Sequence, residues 1–220
     1  SVNTGFDELR VLPSTGKAQY CETDVICQND GVEDQCRAEC LIIINGNRYC
    51  SGTLVATEGN NSESFVLTSA HCLRDGSNNF DSTFANKCIF YFGYNTPICD
   101  ANIVSSYERS ISGSKVASSH PGKDMLLLKL SQRPPVDYMT YESGWNIELA
   151  PHGPATCIHH PNGDQMKISI SEGDPYPISF AVDGLVENSH WLIDKWSVGI
   201  TEVGSSGAPL YDANGRIIGA

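Results

Sequence analysis

Apolar residues come along this chain in short bursts. Residues 38–45 are apolar and β-branched and end at Asn45-Gly46, a dipeptide that favours a tight hairpin turn. Residues 48–56 follow as the natural hairpin partner, and 64–69, 88–94, 115–118 and 125–130 read as further strands. After a gap the bursts resume at 155–159, 167–170, 177–182, 191–194, 197–200 and 215–220. No segment sustains a long 3.6-residue apolar period. Many short strands with Gly and Pro punctuation predict an all-β protein, either a sandwich or a pair of barrels. Ser131-Gln132-Arg133-Pro134-Pro135-Val136 interrupts the pattern and reads as a linker. Residues 1–35 are polar and acidic and read as an irregular arm. The expected division is therefore an arm at 1–35, a first β unit at 36–130, a linker at 131–140 and a second β unit at 141–220.

Composition narrows the setting. The chain has 220 residues, enough for one large domain or two small ones packed together. Fourteen basic residues against 26 acidic give a formal charge of −12, which argues against nucleic acid as a partner. The longest apolar runs, Cys40–Ile44 and Cys88–Phe92, are far too short to cross a membrane as helices. Nine cysteines (Cys21, Cys27, Cys36, Cys40, Cys50, Cys72, Cys88, Cys99 and Cys157) are dispersed without paired metal-type spacing. They read as disulfides, hence as an exported protein: secreted, periplasmic or on a cell surface. The odd count leaves one cysteine free or paired outside this chain. Asn60-Asn61-Ser62 is a glycosylation sequon.

Three stretches carry candidate chemistry. Phe65-Val66-Leu67-Thr68-Ser69-Ala70-His71-Cys72 is an apolar strand that delivers a histidine to a fixed position, with Cys72 as an anchor. Cys50, on the neighbouring strand, is the natural partner of Cys72. Asp124 stands at the mouth of the strongly apolar strand that runs to Leu130. Gly204-Ser205-Ser206-Gly207-Ala208-Pro209 places a serine between glycines, where backbone N–H groups can converge on a developing oxyanion. Each has a bland reading: a structural histidine, a turn carboxylate, a glycine-rich surface turn. Together they supply a nucleophile, a base and a carboxylate to orient the base. His159-His160 invites a metal reading. Successive strand residues point to opposite faces, so a structural role is expected and no metal or cofactor is assigned.

In this order, His71, Asp124 and Ser206 resemble the trypsin-like (chymotrypsin-fold) serine proteases. The likeness is greatest to the bacterial lysyl endopeptidases, on Cys50-Ser51-Gly52-Thr53-Leu54-Val55, Ile158-His159-His160-Pro161-Asn162-Gly163 and Glu202-Val203-Gly204-Ser205-Ser206-Gly207-Ala208-Pro209. The resemblance implies two six-stranded antiparallel β-barrels and a secreted endopeptidase acting on proteins or peptides through an acyl-enzyme. By it, Ser206 is the nucleophile, His71 the general base and Asp124 its orienter. The N–H groups of Gly204 and Ser206 form the oxyanion hole, and Thr201 sits at the base of the substrate pocket. The implied disulfides are Cys50–Cys72 and Cys27–Cys99. The family pairs Cys21 with a cysteine after the serine, but none follows Cys157 here. Two more bridges are expected among Cys36, Cys40, Cys88 and Cys157.

Three departures shape the expectations further. Trypsin-type activation pairs a new N-terminal ammonium with an aspartate just before the serine; that place holds Ser205, which cannot neutralise it. Propeptide removal is expected instead, with Lys17-Ala18 a candidate self-processing bond. Asp183 stands where the lysyl pattern has tryptophan. The sequence stops at Ala220, before the segments that the resemblance would use to complete the second barrel and the primary pocket, so a separate C-terminal chain is a possible partner. Cleavage after lysine is the expected specificity. The alternatives are a glutamyl-type endopeptidase and a catalytically inactive, protease-like binding module.

Overall fold

The computed structural model describes residues 17–59, 62–100, 103, 108–147, 151–179 and 185–220. Residues 1–16, Asn60 and Asn61 of the sequon, Asp183 and the end of the strand expected at 177–182 lie outside them. In the first half the strands are β2 (Glu39–Ile44), β3 (Arg48–Val55), β4 (Phe65–Ser69), β5 (Cys88–Phe92), β6 (Ser110–Ser112), β7 (Ser114–His120) and β8 (Met125–Leu130), all following β1 (Thr23–Asp24). β2 to β8 form one antiparallel sheet in the order β6-β5-β2-β3-β4-β8-β7. Its two edge strands are consecutive and separated only by Gly113, which has a φ of 82°. One bent strand therefore serves both edges, and the sheet curls round on itself. Counted as one, β6 and β7 make this a six-stranded barrel.

The alternation of side chains explains the core. Cys40, Ile42 and Ile44 of β2 point inward with Leu54, Val66, Phe90, Leu126 and Leu128. Leu41 and Ile43 point the other way and pack with Tyr91 and Tyr94. β2 is thus buried on both faces, which is why its sequence from Cys40 to Ile44 is a continuous apolar run.

The second half has β9 (Ala155–His159), β10 (Lys167–Ser171), β11 (Tyr176–Ile178), β12 (His190–Leu192), β13 (Leu210–Tyr211) and β14 (Ile217–Gly219). Five strands form an antiparallel sheet in the order β1-β10-β9-β13-β14, and β11 and β12 make a separate ribbon. Its core is Val25, Ile158, Met166, Ile168, Tyr211 and Ile217. The fold is mostly β, as expected. The strand anticipated at 197–200 is reduced to one bridge between Val198 and Ile170.

Two expectations change. The arm is not wholly irregular: β1 pairs with β10, and helix α1 (Glu33–Ala38) leads into β2. The segment before the first barrel is therefore an edge strand of the second sheet. The additional disulfides do not form; Cys36, Cys40, Cys88 and Cys157 are thiols. Register explains one failure. Cys40 pairs with Phe92 while Cys88 pairs with Ile44. That offset of four residues puts the two Cα atoms about 13 Å apart, well outside disulfide reach.

Candidate active site

His71 lies in a short 3-10 helix, Ala70–Leu73, at the end of β4. The Cys50–Cys72 disulfide ties that turn to β3. Asp124 follows the turn Pro121–Lys123 with a φ of 53°, a left-handed conformation that Asp tolerates better than most residues. There its Oδ1 accepts the His71 backbone N–H at 2.9 Å and its Oδ2 lies 2.5 Å from His71 Nδ1. The Ala70 N–H donates to the Asp124 carbonyl at 3.0 Å. Burial alone pushes the Asp124 carboxyl up, but the hydrogen bonds and charge of His71, helped by Arg74, outweigh it and hold the group below its usual value. The carboxylate form is the one that orients an imidazole through Nδ1–H.

Ser206 comes from the other half of the molecule. Gly204 and Gly207 flank it with φ of 97° and 82°. Both glycines are required by space as well as by conformation. A Cβ on Gly204 would lie 2.4 Å from the Asn162 nitrogen, and one on Gly207 would lie 2.0 Å from Thr68 Oγ1. Ser51 of β3 docks this loop onto the barrel: its N–H donates to the Ser206 carbonyl at 2.8 Å and its hydroxyl to the Gly204 carbonyl at 3.0 Å. The Ser51 hydroxyl accepts in turn from the His160 N–H at 2.8 Å. Among the described residues, no backbone carbonyl takes up the N–H of Gly204 or Ser206.

His71, Thr201 and Ser206 line one open cleft of about 610 Å³, with Glu202, Trp191 and Trp196. His71 and Asp124 are joined directly. Among the described residues His71 and Ser206 share the cleft but no hydrogen bond, and such bonds commonly tighten only with substrate. The Cys50–Cys72 and Cys27–Cys99 disulfides are both present. Cys21 is an exposed thiol.

The paired histidines go to separate places. His160 is stacked on Tyr94, and its Nδ1–H donates to the Asp164 carbonyl at 3.0 Å. His159 lies directly behind the serine loop, with Nδ1 2.7 Å from Ser205 Oγ and Nε2 3.1 Å from Ser169 Oγ. Burial pushes both imidazoles far below the ordinary value, His159 to about 3 and His160 to about 4. Glu22, on the segment leading to β1, reaches within 3.7 Å of His159 Nε2. Burial, then the Glu202 charge, raise the Glu22 carboxyl to about 8. The sequence pattern gave no reason to join Glu22 to this site, because 176 residues lie between Glu22 and Gly199, and the β1–β10 pairing brings the two segments together. The Lys17-Ala18 peptide lies nearby: the Asn162 side chain donates to the Lys17 carbonyl at 3.2 Å, and the Ala18 N–H donates to Asp164 Oδ2 at 2.9 Å.

Residues 15–220 match the family model described as lysyl endopeptidase, C-terminal domain. Among solved structures, the active form of the Rv3671c protease from M. tuberculosis is similar with a TM-score of 0.55 and 16% identity, covering 99% of this chain and 82% of that one. A Glu endopeptidase in complex with MPD matches with a TM-score of 0.55 and 15% identity, covering 96% of this chain and 86% of that one. Deg5 matches with a TM-score of 0.51 and 16% identity, over 86% and 80%. At these identities the structural likeness concerns the fold.

Proposed function

The chain belongs to the lysyl endopeptidase C-terminal domain family, and from that premise we propose that it is a serine endopeptidase that cleaves after lysine. The observation that carries the catalytic reading is the His71–Asp124 pair in one cleft with Ser206. Ser206 Oγ attacks the scissile carbonyl while His71 Nε2 takes its proton. The Gly204 and Ser206 N–H groups receive the oxyanion, and His71 then passes the proton to the leaving amine. Water releases the acyl group by the same steps in reverse order.

Lysine preference is supported by the family and by Glu202, an acidic side chain on the wall of the cleft beside Thr201. The protein's substrates are then proteins or peptides with exposed lysine, and its two disulfides suit an extracellular or periplasmic site of action. Side-by-side hydrolysis of lysine and glutamate chromogenic esters by the full-length protein tests specificity. Faster turnover of the lysine ester is expected, and preference for glutamate overturns it. A fluorophosphonate probe tests the catalytic reading separately: no labelling at Ser206 makes the chain a protease-like binding module. Lysine preference also makes Lys17-Ala18 a bond for self-processing. N-terminal sequencing of secreted Ser206→Ala checks this, because a mature start identical to the wild type rejects self-cleavage there.

A further inference from the structure

We infer that His159, as a neutral imidazole bridging Ser205 and Ser169, is the positioning residue that holds the Gly204–Ser206 amides in place, the task that a buried ammonium–aspartate pair cannot perform where Ser205 stands. The inference rests on the reading of Ser206 as nucleophile.

The protons can be assigned one at a time. A serine hydroxyl has a single proton and lone pairs to accept with. The Ser169 hydroxyl lies 2.5 Å from the Ile200 carbonyl, which can only accept, so Ser169 spends its proton there. Its contact with His159 Nε2 at 3.1 Å must then be donated by the ring. A neutral ring with Nε2–H has a lone pair on Nδ1, so the 2.7 Å contact with Ser205 is donated by the Ser205 hydroxyl. The Ser205 oxygen still accepts the Glu202 N–H at 3.2 Å. Every donor in the chain meets an acceptor, and only this tautomer satisfies all of them.

The consequence falls on the oxyanion groups. Ser205 also donates its N–H to the Glu202 carbonyl at 3.0 Å and accepts the Ala208 N–H on its own carbonyl at 2.9 Å. The Ser205 carbonyl shares a peptide with the Ser206 N–H, and the Ser205 N–H shares one with the Gly204 carbonyl, so fixing Ser205 fixes both. The peptide that carries the Gly204 N–H is held next to them, its Val203 carbonyl accepting the Asn162 N–H at 2.6 Å. The groups facing His159 keep it neutral. Its own burial comes first, then the neighbouring ring of His160 and the Lys167 ammonium of β10. Glu22 faces Nε2 from the segment before β1, and Glu202 and Asp164 in turn act on Glu22. A protonated ring would present Nδ1–H to Ser205 and strip that hydroxyl of its acceptor.

The test uses the full-length protein. Ser205→Ala and His159→Ala are each expected to slow fluorophosphonate labelling and kcat about 10- to 100-fold, with KM little changed, because misplaced oxyanion donors act on the transition state. The double variant should lose less than the product of the two single losses, since both break the Ser205–His159 bond. His159→Asn, whose side-chain oxygen can accept from Ser205, should recover part of the loss. Nitrogen-15 NMR of the imidazole should show the Nε2–H tautomer, unprotonated at pH 5. A Ser205→Ala variant that labels as fast as an active wild type overturns the inference, as does a lowered Tm with unchanged kcat. An Nδ1–H tautomer, or a ring that titrates near 6.5, overturns it independently of activity. A wild type that takes no label removes the nucleophile reading first and this one with it.

Discussion

The two halves of the cleft hold their chemistry by different means. His71 and Asp124 belong to the first barrel, where the alternating apolar residues of β2, β3, β4 and β8 form a continuous interior and a disulfide anchors the histidine turn. Ser206 belongs to a loop backed by polar and ionisable groups: Ser51, His159, Ser169 and Glu22. On the proposed roles, the difference teaches that a general base can be placed by a strand end, whereas an oxyanion loop must be placed by its backbone. Backbone amides left free for a substrate cannot also be tied into a sheet, so their neighbours are tied instead.

Breaking the serine side chemically should have the largest effect. Ser206→Ala is expected to lower kcat by on the order of 10⁴-fold or more while leaving urea unfolding unchanged. Breaking the junction between the halves comes next. Gly207→Ala forces a Cβ against Thr68 Oγ1 and the Ser51 carbonyl at a positive φ. A loss of about 3 kcal/mol is expected from equilibrium denaturation, with activity lost alongside. On the histidine side, replacing Cys50 and Cys72 by alanine opens a loop whose ends are 22 residues apart, which should cost about 3 kcal/mol by the same measurement.

The pH dependence sharpens the contrast further. On the serine side His159 is held low, so its contribution is complete above its ordinary 6.5 and is lost as pH falls toward about 3. Glu22 has the opposite sign: the folded protein keeps its proton up to about 8, so stability falls as pH rises from 4.5 through that value. On the histidine side, Asp124 contributes above its ordinary 3.8 and loses that contribution as pH falls below it. Between pH 6.5 and 8 only Glu22 of these three changes charge. Glu22→Gln should therefore flatten the decline in stability across that window, and urea midpoints at pH 6.5 and 8 check it. An unchanged slope would remove Glu22 from the account. The smallest effect belongs to the exposed Lys129–Glu63 pair on the barrel wall, where Lys129→Ala should change stability by less than about 0.5 kcal/mol.

Much of the first half was legible along the chain. β8 begins and ends at the residues its apolar run indicated, and β2 and β3 differ from the expected bounds by one residue or so, because a half-buried or fully buried strand imposes a local pattern. His71, Asp124 and Ser206 were each marked by a local signal, and the structure joins His71 to Asp124 and lines one cleft with His71 and Ser206. The disulfide expectations show where locality ends. Cys50 lies on β3 and Cys72 in the turn that follows the neighbouring β4, whereas the failure of Cys40 and Cys88 follows from a four-residue offset in register that cysteine spacing cannot express.

By itself, the sequence determined the strand-rich class, the residue types available at His71, Asp124 and Ser206, and the lack of a carboxylate at Ser205. Only the tertiary structure decided which groups Ser205 meets. Strand β1 crosses from the start of the chain to β10 and carries Glu22 toward His159, and β9 aims His159 at Ser205. The physical reason is that periodicity records whether a side chain is buried, while the partner of a buried polar group is set by contacts between segments far apart in the chain.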